Sequence, residues 1–569
     1  MTVLRTSNAP IGLDRGKPVS TENNLGWIVP SDWITYTVPA ASDQKIIGTV
    51  AVLNQDSNYF AVNIATTDAS TYTVDWGDGT SASFASGVTA EKNYVWSDIS
   101  AGTVTSEGYR QAIVTITPTT AGKTFSNLQL NRRHSALTAS TNVSSPWLSL
   151  SIAAPNATSI TLAGSSDATK VLTTLAQQIQ IFSSNLTSSG ASGLFQNCYA
   201  LQDVVFNTSG TLTNLTSMFS GCRNLKVAPF FNTASATNMS SMFSGCLALQ
   251  SVPLYNTSSV TDGMSSMFNA CASLRTLPFF NTALVTNMSS MFFAAYSLES
   301  VPLWNTASVT NMQNMFFNCY SLKSVPLFNT ALVTNMSNFL YGTACLETIP
   351  VFSTAAVTDM SGMFRFSSGM VFLPALNTSA VTNISNMFTS GSTVIKEIAE
   401  LNLSSISSLA NNLLGLGAAS ASSAAGNLTR AKLTGMKWTQ TFQNCSMGAA
   451  QLDEMYTALA TLNPAITTVS GNGTTVTVTV GTGSISPFVV GRSVTITAVD
   501  PVAYNISGTV ASVNAGAGTF TITNAAIGTY VSGGVASITS DRTITVTGNP
   551  GVATDTPSIA TNKGWTVVG

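Results

Sequence analysis

The chain has 569 residues, only 8% of them charged, with 22 Lys+Arg against 24 Asp+Glu and a formal charge of −2. With no Lys/Arg cluster it has little to neutralise phosphates, which argues against a nucleic-acid partner, and no run approaches the ~18 apolar residues of a membrane span. One histidine and seven cysteines leave little material for metal or triad chemistry, and the odd cysteine count excludes a complete disulfide framework.

In chain order, residues 1–44 show little periodicity and read as an attachment arm that docks on something else. Their first stretch, MTVLRTSNAPIGLDRG, lacks an apolar run of signal-peptide length, which predicts a protein that is not exported by that route. Residues 45–120 alternate apolar and polar residues around TVDWGDGT (73–80) and end in GYRQAIVTITP (108–118). Asp75, Asp78 and Gly79 suit a tight turn. Calcium, which takes about six to eight oxygens, finds too few ligands there. This segment resembles the PKD-type immunoglobulin-like domain, and the resemblance implies a β-sandwich that serves as spacer or attachment module.

Residues 121–193, with WLSLSI (147–152) and TSITLAG (158–164), are expected to form an N-terminal solenoid cap. From 194 to 400 the chain repeats. Met-Phe recurs at Met218-Phe219, Met242-Phe243, Met267-Phe268, Met291-Phe292, Met315-Phe316, Met363-Phe364 and Met387-Phe388, and Leu194-Phe195 and Phe339-Leu340 fill the two remaining slots of a 24-residue step with one insertion at Gly263. Proline (Pro229 to Pro374) and Asn-Thr (Asn207 to Asn377) keep the same step. One unit, LPFFNTALVTNMSSMFFAAYSLESV (277–301), places Met288, Met291 and Phe292 on one helical face with Thr286 or Asn287 as cap. Leu298, Val301 and Leu303 alternate as in a short strand. So small a unit must stack on its neighbours to bury its apolar face. At ~4.8 Å per strand the nine slots predict a rod on the order of 40 Å.

The string VTNMSSMF and the cysteine-bearing variants of it, followed by an apolar strand and NT, resemble the BspA-like leucine-rich repeats of bacterial surface proteins. The resemblance implies an α/β solenoid used in adhesion or partner binding, without catalysis. After 400 the repeat decays into a C-terminal cap (401–465) with a helix at AAQLDEMYTALATL (449–462). Short strands at 466–542 predict an inserted small β-barrel similar to modules of phage structural proteins, and 543–569 read as strand, turn, short helix and strand, closing the cap. The expected fold class is β-rich and multi-domain: an immunoglobulin-like sandwich, an α/β leucine-rich-repeat-like solenoid of 24-residue repeats, and a small all-β domain inserted in the C-terminal cap.

No catalytic, cofactor-binding or metal-ligating set emerges. His134 stands alone, and Asp262, Glu299, Glu347 and Asp359 fall in different columns, unlike the paired carboxylates of a glycosidase. Cys198, Cys222, Cys246, Cys271 and Cys319 share one column with Ala295, Thr343 and Ser367, which points to packing. The aromatic column Phe206, Phe231, Tyr255, Phe280, Trp304, Phe328 and Phe352 is a core element by family likeness. Exposed, it would be a platform for sugars or proteins. Tyr255, Phe280, Trp304 and Phe328 are the candidate partner-binding residues. The expected function is that of a structural and display protein of a bacteriophage virion (tail, fibre, baseplate or head decoration). It would attach to other virion proteins through its N-terminal region, form a homo-oligomer and touch a host-surface glycan or protein. The alternative is a bacterial cell-surface BspA-like adhesin.

Overall fold

The computed structural model describes residues 28–55, 57–137, 144–162, 172–187, 191–388, 395–406, 428–436, 440–442, 445–459, 465–480, 488, 490, 492–500, 506–524, 527–529, 532–538 and 543–569. These fall into two compact units that divide between Leu332 and Val333.

The first unit opens with a two-sheet sandwich. One sheet runs β4-β3-β6-β1-β8 and the other β5-β2-β7-β9, where β1 is Lys45–Val52, β2 Asn58–Thr66, β3 Tyr72–Asp75, β4 Ser81–Phe84, β5 Thr89–Tyr94, β6 Arg110–Pro118, β7 Phe125–Gln129, β8 Trp147–Ala153 and β9 Ser159–Thr161. Phe60 of β2 meets Trp147 of β8 edge-to-face at 4.9 Å and Trp76 at 6.0 Å, so aromatic rings fill the space between the sheets. The turn after β3 forms as its residues demand. Asp75 and Asp78 each accept the amide two residues on, and Gly77 has a φ of 74° where a Cβ would stand 2.4 Å from the Ile113 carbonyl. Asp78 also pairs with Lys92 at 2.5 Å, so both carboxylates serve the turn.

Strand β8 is buried along its whole length and β1 nearly so, because residues 28–44 cover the outer face of their sheet. Trp33 packs with Ala51, Tyr109 and Leu148 and donates to the Tyr109 hydroxyl at 3.1 Å. The described part of the arm therefore docks on its own chain; residues 1–27 lie outside the described residues. A second departure concerns the boundary expected at 120. β8 pairs antiparallel with β1 on one side and parallel with β10 (Gln178–Phe182) on the other, and β10 pairs parallel with β11 (Asp203–Asn207). One sheet thus passes from sandwich into the first coils without a break.

Beyond β11 the stacked coils form, but the expected helix does not. From Gly193 to Phe388 the described residues contain only turns, bridges and extended segments. In the coil of Met288, alternate amides bond to the next coil: Met288 to Asn311 O, Ser290 to Gln313 O, Phe292 to Met315 O and Ala294 to Phe317 O, at 2.7–3.1 Å. The amides between them close local turns, Met291 to Met288 O, Phe293 to Ser290 O and Ala295 to Phe292 O. Ser290 (φ 54°) and Ala294 (φ 57°) take the left-handed conformation that lets the chain turn every four residues. Ser217, Ser241, Ser266 and Asn314 match Ser290, and Asn197, Gly221, Gly245, Ala270 and Asn318 match Ala294. The strand expected at Val301–Leu303 is also absent. The amides of Trp304 and Phe328 bond to Pro302 O and Pro326 O two residues back, so proline sits where no inter-coil donor is required.

Between coils, Phe195, Phe219, Phe243, Phe268, Phe292 and Phe316 form one stack with centroids 4.9–5.8 Å apart. Such stacked pairs add about 0.5–1.5 kcal/mol each beyond area burial.

In the second unit further coils follow the same pattern, with Met336 bonding to Asp359 O and Met360 to Asn383 O. A parallel sheet of β12 (Phe372–Leu373), β13 (Glu397–Asn402) and β14 (Arg430–Thr434) comes next. The helix Ala449–Ala458 buries Leu452, Met455 and Tyr456 at i, i+3 and i+4. Arg430 ties it to the sheet through a bidentate pair with Glu454 (2.7 Å twice) and a third bond to Glu397 at 2.6 Å. β15 (Gln440–Thr441) pairs with β23 (Thr543–Thr545), which pairs with β24 (Thr566–Val568), all parallel.

The chain between β15 and β23 leaves this sheet and folds separately. β16 (Thr468–Asn472), β17 (Thr475–Thr479), β18 (Ser493–Asp500), β19 (Ser507–Asn514), β20 (Thr519–Thr523), β21 (Ile527–Thr529) and β22 (Ser532–Ile538) make one antiparallel sheet. It curls until Ala465 bridges Val535, around Phe488 and Phe520 stacked at 4.1 Å. The small all-β domain is therefore an insertion in the cap.

Two substitutions test the turn geometry. Ser290→Gly removes left-handed strain of ~1–2 kcal/mol against an unfolded-state cost of ~0.4–1 kcal/mol, so the urea midpoint should rise. Ser290→Val, β-branched at the same φ, should lower it by more than the glycine raises it.

Candidate binding face

Two polar columns fix the edges of each coil. Asn232, Asn256, Asn281, Asn305 and Asn329 each accept the amide two residues ahead at 3.0–3.2 Å, closing an Asx turn. The threonine that follows reaches the next coil: Thr233, Thr257, Thr282 and Thr306 donate to the carbonyls of Asn256, Asn281, Asn305 and Asn329 at 2.7–2.8 Å. Asparagine thus serves its own backbone, and buried threonine staples coil to coil. Asn287, the expected helix cap, makes the same two-residue turn with Ser289 at 2.9 Å, but no helix follows it.

Cysteine acts as a buried donor. Cys222, Cys246, Cys271 and Cys319 give their thiol protons to Phe195 O, Phe219 O, Phe243 O and Phe292 O, each at 3.1 Å. Ser367 does the same towards Leu340 O at 2.7 Å, which explains why serine and cysteine interchange in the column. All seven cysteines are free; Cys345 is exposed and the rest are buried. Burial pushes the Cys198 thiol up to about 12 and Cys445 to about 11. His134 packs on Tyr59 at 4.6 Å and accepts the Ala136 amide at 3.0 Å, a role within its loop.

The four aromatic residues singled out in the sequence are all interior. Phe280 is fully buried, and Tyr255, Trp304 and Phe328 are 2% exposed. The Tyr255 hydroxyl reaches inward to Pro229 O at 2.7 Å. They are core residues and not a contact platform. The exposed column lies one residue earlier: Phe230, Leu254, Phe279, Leu303 and Leu327 are between 58% and 75% exposed. In an extended segment neighbouring residues point to opposite sides, so the burial of each ring turns the preceding apolar side chain to solvent. Val351 holds this place in its own coil of the second unit, 63% exposed.

Exposed Asn232, Asn256, Asn281, Asn305 and Asn329 accompany this ladder on one side. On the other, Glu299 pairs with Lys323 at 2.6 Å and Arg275 at 3.5 Å, lowering its carboxyl below the ordinary value mainly through the bond from Lys323. At the first rung a groove of about 750 Å³ opens over residues 202–208, 226–232 and 251–253, with Phe230 in its wall.

A family profile described as "Mycoplasma protein of unknown function, DUF285" matches residues 189–301, 250–345 and 321–425, windows that step along the repeats. No curated protein matches. Twelve chains of solved structures match. Among them is a crystal structure of a TLR13–ssRNA13 complex, 12% identical, covering 54% of this chain and 42% of that one, with a TM-score of 0.22. The chain therefore spans less than half the length of that neighbour, and a likeness at this level says nothing of ligand or role. The repeat region is thus similar to a DUF285 repeat family, and its coils form a mostly β, solenoid-like array with few helices.

The thiols give a direct check. At pH 8 a thiol reagent should titrate one fast group in the native protein, Cys345, and seven after denaturation. Because burial raises the Cys198 thiol from its ordinary 9.0 to about 12, the stability its neutral form provides is complete below pH 9 and is lost as pH rises towards 12. An alkaline urea series should record that loss.

Proposed function

We propose that this protein is a non-catalytic, repeat-type binding protein of a bacterial surface, touching its partner through the apolar ladder. The observation that carries this reading is the uninterrupted run Phe230, Leu254, Phe279, Leu303 and Leu327, one apolar side chain per coil at 58–75% exposure. Regular exposed apolar rows of this kind mark interaction sites. The family likeness supports the surface-adhesin reading better than the virion one. The immunoglobulin-like character of the N-terminal sandwich belongs to the same proposal, as a spacer beneath the coils. Two acidic side chains of the coils are already engaged, Glu299 with Arg275 and Lys323, and Asp359 with the Ser361 amide and Asn383. That fits display better than acid–base work.

Fluorescently labelled protein applied to a panel of bacterial and epithelial cells tests the reading by flow cytometry. Binding to at least one cell type should fall tenfold or more in a Phe279→Ser/Leu303→Ser variant whose unfolding midpoint is unchanged. Equal binding by the variant would remove the ladder from the function.

A further inference from the structure

The groove at the first rung has a composition that singles out a ligand class. Its volume of about 750 Å³ lies within the ~300–1,000 Å³ of small-molecule sites. The wall holds Phe230, the most exposed large apolar side chain of the described residues at 75%. Its polar lining sets three amides, Gln202, Asn207 and Asn232, beside Thr208, Ser251, Asp203 and Lys226. Asp203 is held by the Gln178 amide at 2.9 Å, and burial raises its carboxyl above the ordinary value, so this end of the groove presents little negative charge. Gln202 is itself fixed by its bond to Gln177 at 3.2 Å.

Along the ladder the same pairing continues. Each exposed apolar side chain has beside it an asparagine whose Oδ1 is pinned by an Asx turn, which leaves its NH₂ group, a double donor, at the surface. An apolar row next to a row of fixed neutral donors, repeated once per coil where the buried rings step by 4.9–5.8 Å, matches a polymer with CH faces and hydroxyl edges. That spacing is close to the rise per residue of an extended, equatorially linked polysaccharide.

Other occupants fit less well. A strand-forming peptide needs an open sheet edge, whereas proline occupies this segment in each coil and the Trp304 and Phe328 amides are turned onto Pro302 and Pro326. A second copy laid antiparallel across the ladder about Phe279 would set Arg275 against Arg275 and Lys226 against Lys323. Of the basic groups beside the ladder, Arg275 and Lys323 are already paired with Glu299, which leaves a polyanion little positive charge to meet.

We propose that this groove is a saccharide site, with Phe230 stacking on a sugar ring and Gln202, Asn207 and Asn232 bonding its hydroxyls, and that an uncharged extended glycan continues from it along the ladder. The inference rests on the binding-face reading above and names its ligand. The full chain is run on native gels containing laminarin, mannan, hydroxyethylcellulose or galactan, with alginate as the anionic comparison. Retardation by at least one neutral polymer, weakened tenfold or more by Phe230→Ser and unchanged by Leu247→Ser on another exposed column, is the expected result. Retardation by none, retardation by alginate alone, equal retardation of the Phe230→Ser variant, or a dimer in sedimentation that Phe230→Ser abolishes would each overturn it. Should the gels fail while cell binding still depends on Phe279 and Leu303, the glycan is wrong and the binding face stands. Loss of that dependence removes both.

Discussion

Everything in the coils follows from the need of each backbone amide for a partner in a unit too short to supply its own. The chain meets the constraint by dividing its donors: one amide bonds within a four-residue turn, and the next bonds to the adjacent coil. That division requires left-handed residues at positions such as Ser290 and Ala294, and it accounts for the serine, asparagine, glycine and alanine kept there. It also fixes the spacing at which Phe rings stack, thiols reach carbonyls and threonines staple coils. With backbone and side chains bonded this way, few charges are needed, and the charged fraction of 8% follows.

The exposed ladder is a consequence of the same register. Burying Phe231, Tyr255, Phe280, Trp304 and Phe328 sends the preceding side chain outward, and at that place the chain carries Phe or Leu where a soluble surface would be served by Ser or Thr. Folding gains nothing from a Phe230 at 75% exposure. Its apolar area is available to a partner, at roughly 25 cal/mol per Å² removed from water.

The period and the column identities were legible in the sequence, because each depends on repetition. The helix was not. Met288, Met291 and Phe292 at i, i+3 and i+4 satisfy successive four-residue turns as well as they satisfy a helix, and hydrophobic spacing cannot separate the two. The discriminating signal was present in two other columns, where Asn314 and Asn338, and Gly221, Gly245 and Asn318, recur at positions that need positive φ. The candidate contact residues were misplaced by one position. The polar tips of Tyr255 and Trp304 suit partial exposure, while the alternation of an extended segment makes a one-residue shift the difference between core and surface. The docking of residues 28–44 on the sandwich was not legible for a different reason: Trp33 and Tyr36 find partners in Tyr109 and Ser151, more than seventy residues away, which no local pattern reveals.

The most direct test of the account is hydroxyl-radical footprinting of the protein alone and on cells it binds, read by mass spectrometry at adjacent positions. Phe230 and Phe279 should be oxidised in the free protein and protected on the cells, while Phe231 and Phe280 remain unmodified in both. Equal labelling within each pair, or no protection of Phe230 and Phe279 on binding, would contradict it.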